Sequence, residues 1–260
     1  MASYKNKHLA HWIRNQSAWD TLAHQDPFEN WDTSHPSPGA LVEGIELHGA
    51  VVCFYADDRI HGEAFCQRAI AIANRIIAKD RWHDRPVTDA GYPYALGEVL
   101  RGREYARWLL GYPLERTNMI RIAECLTSWC LTKATDRRRF HDSMTMCFYL
   151  QGVRAAMIAC DLDYASELLK TRHRFRWHHA GERDLWTRLI EAYPEVPLDL
   201  RREVEVFFDR VRDPDFEEFE LDARGEKIST FLDRGILALE TGIIRQMYVI
   251  NRSALDPVEP

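Results

Sequence analysis

The chain contains a stretch of eighty residues, between Pro113 and Pro194, without a proline. Proline ends or kinks helices, so a stretch of this length can hold several long helices. Ala and Leu together number 50, against 40 for Val, Ile and Thr. No Asn-Gly or Asp-Gly step flanked by alternating apolar residues indicates a hairpin. We therefore predict an all-α protein, with more than roughly 60% of its residues in helices and negligible strand.

Apolar residues recur at intervals of three and four in several segments, which is the spacing of one buried helix face. The clearest segments lie at 63–79, 119–130, 204–211 and 228–250. The last is a stripe about six turns long, in which Gly235 and Gly242 are expected kinks or close-packing points.

The predicted domain organisation follows from helix-breaking residues near the N-terminus. A short helix is expected near Leu9 to Leu22, followed by a loop in which Pro-Ser-Pro-Gly39 stops any helix. We predict an N-terminal helix and loop at 1–39 and a compact helical body, one domain, at 40–260. At 260 residues the chain can bury a sizeable core without disulfides or metal.

Two seven-residue segments, Glu104–Leu110 and Asp163–Leu169, match at an offset of 59. Both carry an acid, then Tyr-Ala, and end in Leu-Leu, and each is expected to follow a break, at Arg101-Gly102 and at Cys160-Asp161. The arrangement resembles the second helix of tetratricopeptide-like hairpins, where a small residue lets two helices approach closely. It implies stacked antiparallel helix hairpins, as a helical bundle or an irregular α-solenoid.

Neither a signal peptide nor a membrane span is expected. The first sixteen residues contain no apolar stretch of signal-peptide length, and no apolar run approaches the ~20 residues of a membrane helix. A cytoplasmic location is therefore predicted. The cysteines lie in apolar segments without a CxxC pair and are expected to be reduced core residues, with no disulfide or metal role. They are Cys53, Cys66, Cys125, Cys130, Cys147 and Cys160.

The eleven histidines prompt a search for metal or acid–base chemistry. The nearest grouping of His with carboxylates consists of Glu43, Glu46, His48, Asp57, Asp58, His61 and Glu63. However, positions 46 and 48 lie about 200° apart on a helix. Asp57-Asp58 is typical of a helix N-cap before Arg59 to Lys79. We expect no metal here, and the question of a functional cavity at this grouping stays open.

No sequence motif indicates catalysis or a cofactor. Gly-x-Ser-x-Gly, a phosphate-binding GxxxxGK[ST] loop and GxGxxG are all missing. The cysteines sit among apolar residues, which does not favour a reactive thiol. We therefore predict no catalytic residue, no metal ligand and no cofactor.

Charge is distributed unevenly along the chain. Between Asp199 and Glu226 there are eleven acids against five arginines, an excess of six negative charges, and the net charge of the whole chain is also −6. The most basic stretch, Arg172–His179, has aromatic residues between its cations, as in proteins that bind single-stranded nucleic acid. Three of its members are histidines that are largely neutral at pH 7. Nucleic acid is therefore not the expected partner, and neither is a membrane.

The centre of the acidic stretch is the candidate partner-binding site. Pro214 is expected to break the preceding helix and to leave apolar residues, flanked by acids, in a loop or helix start. Such apolar anchors ringed by acids resemble the hot spots of protein interfaces. The predicted site residues are Asp213, Asp215, Phe216, Glu217, Glu218, Phe219, Glu220 and Asp222.

The chain is similar in overall character to the all-helical immunity proteins that bacteria use to neutralise toxins. The similarity rests on the helical-hairpin pattern around Tyr149–Ala156 and Asp161–Ala165 and on the absence of catalytic motifs. It implies a non-catalytic protein that occludes its toxin, with acids opposing basic residues if the toxin is a nuclease.

Two other function classes stay open at this point. A helical enzyme or effector with dispersed catalytic residues would have a polar pocket with convergent groups of perturbed pKa. A repeat-type peptide-binding adaptor would have a groove lined by exposed aromatic side chains.

Overall fold

The computed structural model describes residues 39–55, 57–80, 92–134, 143–171, 180–212, 219–221, 227–229 and 231–250. Of these residues 86% are helical, which confirms the all-α prediction. The helix expected near Leu9 to Leu22 lies outside the described residues, as does the basic stretch Arg172–His179.

The helices follow one another with short connections. A π-helical segment, Ala40–Leu47, continues directly into α1. The α-helices are α1 His48–Tyr55, α2 Arg59–Asp80, α3 Tyr92–Leu109, α4 Arg116–Ala134, α5 Ser143–Ile158, α6 Leu162–Lys170, α7 Ala180–Ala192, α8 Leu198–Arg212 and α9 Phe231–Tyr248. Two three-residue strands, β1 Phe219–Leu221 and β2 Lys227–Ser229, form an antiparallel pair between α8 and α9, with Phe219 opposite Ser229.

Two helices begin at aspartates, as the sequence predicts for both. The Asp58 carboxylate accepts a hydrogen bond from the backbone N–H of His61 at 3.2 Å, and Asp161 accepts one from Tyr164 at 3.1 Å. Each therefore supplies an acceptor to an N–H group that the first helical turn leaves without a partner. The break at Cys160-Asp161 is confirmed by the left-handed backbone of Cys160, with φ of 56°.

The other expected break, at Arg101-Gly102, is wrong. Both residues are buried within α3, and a methyl group at Gly102 would lie 2.6 Å from the Val42 side chain. This glycine therefore lets the π-segment approach α3 closely and does not end a helix.

The long C-terminal stripe is shorter than predicted. Ile228 belongs to β2, and α9 spans Phe231–Tyr248. Within α9, the stripe residues Ile236, Leu239, Ile243 and Met247 are buried. Close packing at Gly242 is confirmed, since a methyl group there would lie 3.1 Å from Phe208.

Contacts along each helix pair define the direction of the helices. Gly97 packs against Leu126, while Asn118 at the start of α4 hydrogen-bonds Glu104 at 3.0 Å, so α3 and α4 are antiparallel. The α4–α5 pair is antiparallel too, because Gly152 packs on Thr127 and the Arg116 Nε donates to the Ala159 carbonyl at 3.0 Å.

The C-terminal helices follow the same alternation. Trp186 and Phe207 join α7 to α8 with ring centroids 5.5 Å apart, and Arg188 pairs with Glu203, which makes α7 and α8 antiparallel. Glu240 bonds Arg154 at 2.5 Å and Tyr248 bonds the Met157 carbonyl at 2.6 Å, so α9 runs parallel to α5.

One end of the bundle therefore gathers several helix connections, and we call it the turn end. It consists of the connections at 57–58, 110–115, 159–161 and 193–197 together with 249–250 after α9. The α1–α2 connection belongs to it because the π-segment runs parallel to α3, with Gly39 beside Glu98 and Val42 beside Gly102. At the opposite end of the bundle, α8 ends at Arg212 and α9 begins at Phe231.

Candidate functional site

A network of buried ion pairs crosses the centre of the bundle. Arg101 of α3 donates through Nε to Glu43 of the π-segment at 2.7 Å and through Nη2 to the other carboxylate oxygen. Its Nη1 lies 3.6 Å from a carboxylate oxygen of Glu240 on α9. The Tyr105 hydroxyl donates to the same oxygen at 2.8 Å. These residues are between 0% and 4% exposed. Buried charged groups therefore connect α3 to the π-segment and to α9.

The network continues from α9 into α5 and α7. Arg154 of α5 donates to the second oxygen of Glu240 at 2.5 Å and to Glu182 of α7. The Trp186 indole N–H also donates to Glu182, at 2.8 Å. The network thus links the π-segment, α3, α9, α5 and α7. Its carboxylates accept bonds from guanidinium, phenol and indole groups, the pairing that buried charges require.

The ion pairs of the network stabilise the charged form of its arginines. Burial alone lowers the pKa of Arg101, but the Glu43 and Glu240 carboxylates outweigh it and raise that pKa above its ordinary value. Glu240 and Glu182 do the same for the pKa of Arg154. Burial, followed by the charge of Glu240, raises the pKa of Tyr105 well above 10. The arginines therefore stay cationic and the tyrosine neutral at physiological pH.

A second ion pair, partly buried, anchors the other face of the π-segment. The Arg68 Nε of α2 donates to Glu46 at 3.0 Å, and the guanidinium lies 4.4 Å from the centroid of the Phe65 ring. Glu43 therefore faces α3 while Glu46 faces α2. The two carboxylates bond to different arginines and form no common ligand site.

The seven-residue His and carboxylate grouping is not assembled into one site. Asp58 and His61 do meet, with 2.7 Å between a carboxylate oxygen and Nδ1 of the ring, but they do so as a helix start. In the described part of the chain, no three His, Cys, Asp or Glu side chains are placed to hold a metal ion.

The cysteines whose side chains are described divide into buried and exposed thiols, and the side chain of Cys147 lies outside that description. Cys53, Cys66, Cys125 and Cys130 are fully buried, as predicted. Burial raises the pKa of the first three from 9.0 to about 12, which disfavours the reactive thiolate. The prediction is wrong for Cys160, which is exposed because it occupies the left-handed turn between α5 and α6.

The predicted partner-binding residues are only partly described. Phe219 and Glu220 lie in β1, not in the expected loop or helix start, because residues 219–221 pair with 227–229. The other predicted residues, Asp213, Asp215, Phe216, Glu217, Glu218 and Asp222, lie outside the described residues. The preceding helix does end at Arg212, two residues before Pro214.

The excess of negative charge lies in a shorter segment than Asp199–Glu226. From Asp199 to Arg212, α8 carries four acids and four arginines and is neutral. From Asp213 to Glu226 there are seven acids against Arg224 alone, an excess of six. The net charge of the chain therefore resides in fourteen residues, which we call the acidic segment, between α8 and α9.

Comparisons with known proteins add nothing to this description, since the chain matched no protein-family model, no curated protein and no solved structure. None of the helices in the described ranges is both long and apolar enough to cross a membrane.

Proposed function

We propose that the protein is a non-catalytic binding protein of the bacterial cytoplasm, an immunity protein that neutralises a cognate toxin by covering its active site or functional surface. The observation that carries the proposal is the confinement of the net charge of −6 to the acidic segment. A patch of one sign attracts a partner of the other sign and accelerates its association. The expected partner is therefore a toxin domain with a basic surface.

The buried network supports a binding role over an enzymatic one. The described carboxylates and guanidinium groups at the centre of the bundle bond to one another, as between Arg154 and Glu240. General acid–base chemistry needs a group whose pKa lies near the working pH. Instead, the resolved shifts at Arg101, Tyr105 and Arg154 all move pKa values further above neutrality.

Growth of a host strain tests the proposal directly. The protein encoded by the gene next to the one for this chain is expressed from an inducible promoter, with and without this chain. We expect arrested growth without the chain and restored growth with it, together with a stable complex of the purified proteins. A neighbouring product that is harmless, or that stays toxic when the chain is abundant, contradicts the proposal.

Charge variants then test the docking site. Replacing Asp215, Glu217, Glu218 and Glu220 with Asn or Gln should slow association and flatten its salt dependence, since steering by charge acts on the on-rate. The matched control removes four solvent-accessible acids that lie away from the turn end, Glu124, Glu167, Asp184 and Glu203, in the same way. Equal slowing by both variants would show a general charge effect and no docking site in the acidic segment.

Phe216→Ala and Phe219→Ala separate docking from stability. If these aromatic residues contact the partner, each variant should unfold like the wild type but dissociate from the partner faster. A loss of roughly 3–5 kcal/mol in the free energy of unfolding would instead mean that the ring is part of the core.

A further inference from the structure

The turn end carries most of the large apolar side chains that the described surface exposes. Six such side chains are exposed in the described ranges, and five of them lie at this end. They are Ile60 at 81%, Tyr112 at 54%, Tyr193 at 42%, Leu198 at 64% and Ile250 at 44% exposure. Exposed apolar residues scattered singly need no explanation, but several gathered on one face indicate an interaction surface.

Contacts join the connections at this end to one another. Arg116, after the α3–α4 connection, donates to the Ala159 carbonyl of the α5–α6 connection at 3.0 Å. Tyr248, at the end of α9, donates to the Met157 carbonyl of α5 at 2.6 Å. The Tyr193 ring packs edge-on against Tyr248, with centroids 5.0 Å apart. The α3–α4, α5–α6 and α7–α8 connections and the end of α9 therefore form one face, and the α1–α2 connection lies at the same end of the bundle.

The charge of this face is negative. Together, the connections, the last four residues of the helices that enter them and the first four residues of α2, α4, α6 and α8 contain eight acids and five arginines, an excess of three negative charges. The acids are Asp57, Asp58, Glu115, Asp161, Asp163, Glu191, Glu195 and Asp199. Two of the arginines, Arg116 and Arg201, donate to backbone carbonyls at 3.0 and 2.9 Å.

We propose that the turn end is a second docking surface, and that its occupant is a positively charged protein surface. Tyrosine is enriched at interface hot spots, because it combines a large apolar ring with a hydrogen-bonding hydroxyl. The surrounding carboxylates complement a basic partner. The same carboxylates disfavour a second copy of this chain, since two negative faces would repel each other.

This inference rests on the proposed function for the sign of the partner's charge. It does not rest on the acidic segment, which leaves α8 at the opposite end of the helix from Leu198. The two sets of variants change different residues and therefore test the two surfaces separately.

Cys160 provides a reporter at the face itself, because its thiol is exposed at the α5–α6 turn. Its alkylation by iodoacetamide is followed by mass spectrometry, alone and with the purified product of the neighbouring gene. We expect the complex to slow modification of Cys160 by about tenfold or more if the partner covers the face. The control is a thiol introduced by Val206→Cys, at the exposed outer face of α8, whose labelling should not change.

Variants of the exposed side chains complete the test. Tyr112→Ser combined with Ile250→Ser should raise the Kd for the same partner by about tenfold or more. Tyr193→Ala should do the same, and its unfolding is measured in parallel because this ring packs on Tyr248. The matched control, Val206→Ser, removes an equally exposed apolar side chain elsewhere and should leave the Kd unchanged.

Three results would overturn the inference. One is unchanged affinity of the double variant while the wild type still restores growth, which would leave the proposed function intact. Another is full reactivity of Cys160 in the complex. The third is protection of Cys160 that rises with the concentration of this chain alone, since that would identify a second copy as the occupant. Failure of the wild type to restore growth overturns the proposed function instead.

Discussion

The carboxylates of Glu240 and Glu203 both bond to arginine, but in two contrasting regions of the molecule. Glu240 lies at the centre of the bundle with Arg101 and Arg154, fully buried. Glu203 lies on the outer face of α8 with Arg188, and both side chains are about half exposed, at 47% and 49%. Solvent screens the second pair, whereas burial shields the first pair from solvent. The buried pairs therefore constrain the positions of the helices. The exposed pair constrains them little, and its charges remain accessible to a partner.

The largest expected effect comes from breaking the interior network. Glu240→Ala leaves two buried guanidinium groups without their shared carboxylate, which should cost about 3–5 kcal/mol of unfolding free energy. Urea denaturation followed by circular dichroism measures it. A loss below about 1 kcal/mol, in the range of surface pairs, would remove the distinction between the two regions.

A smaller effect is expected where the network depends on close packing. Gly102→Ala would place a methyl group 2.6 Å from Val42, next to the Arg101 that bonds Glu43. Overpacking of this kind should cost about 1–3 kcal/mol. The matched control is Gly181→Ala in α7, where nothing lies within 4 Å and where alanine should be neutral or stabilising. Equal stability of the two variants would contradict the close approach of the π-segment to α3.

Alkaline pH should lower the free energy of unfolding by ionising the buried thiols. The pKa of the thiols of Cys53, Cys66 and Cys125 is raised by burial from 9.0 to about 12 in the folded protein. Their contribution to stability is therefore complete below pH 9 and is lost as the pH rises from 9 towards 12. We expect the urea midpoint to be level up to about pH 9 and to fall above it.

The control for this pH profile is Cys160→Ser: burial raises the pKa of this exposed thiol too, but less than that of the buried thiols, so the fall should change less than in Cys53→Ala. Cys53→Ala should make the fall shallower. A midpoint that stays level up to pH 11 would show that the thiols are not buried as described.

The smallest effect is expected at the surface pair. Glu203→Ala removes the bond to Arg188, but an exposed pair gains little over its hydration in water and is screened by salt. The urea midpoint should differ from that of the wild type by no more than the scatter between repeats. A clear drop in that midpoint, persisting in 0.5 M salt, would show that this pair acts like the buried network.

The exposed Cys160 and the buried Arg101 show the limits of prediction from local sequence. An apolar neighbourhood predicts a buried thiol, yet the helix ends at Ile158 and the left-handed turn leaves Cys160 in solvent. The repeat predicts a break before Glu104, at Arg101-Gly102, yet both residues lie inside α3, where Glu43 and Val42 approach them from a segment about sixty residues away.

The amino-acid sequence by itself determined the helical class, several helix faces and the aspartate starts of α2 and α6. Each of these depends on interactions between residues three or four apart, such as Asp161 with Tyr164, and local spacing encodes such interactions. The net charge and its confinement to the acidic segment are likewise properties of the sequence alone.

Only the tertiary structure decided which charges are buried together and which apolar side chains share the turn end. The sequence contains one indication of the network: Glu240 lies within the apolar stripe of α9, four residues after Ile236 and three before Ile243. Its partners, however, come from α3 and α5, 139 and 86 residues away along the chain. Pairing over such separations is determined by how the helices pack, because the cost of burying each charge depends on which opposite charge the fold brings to it.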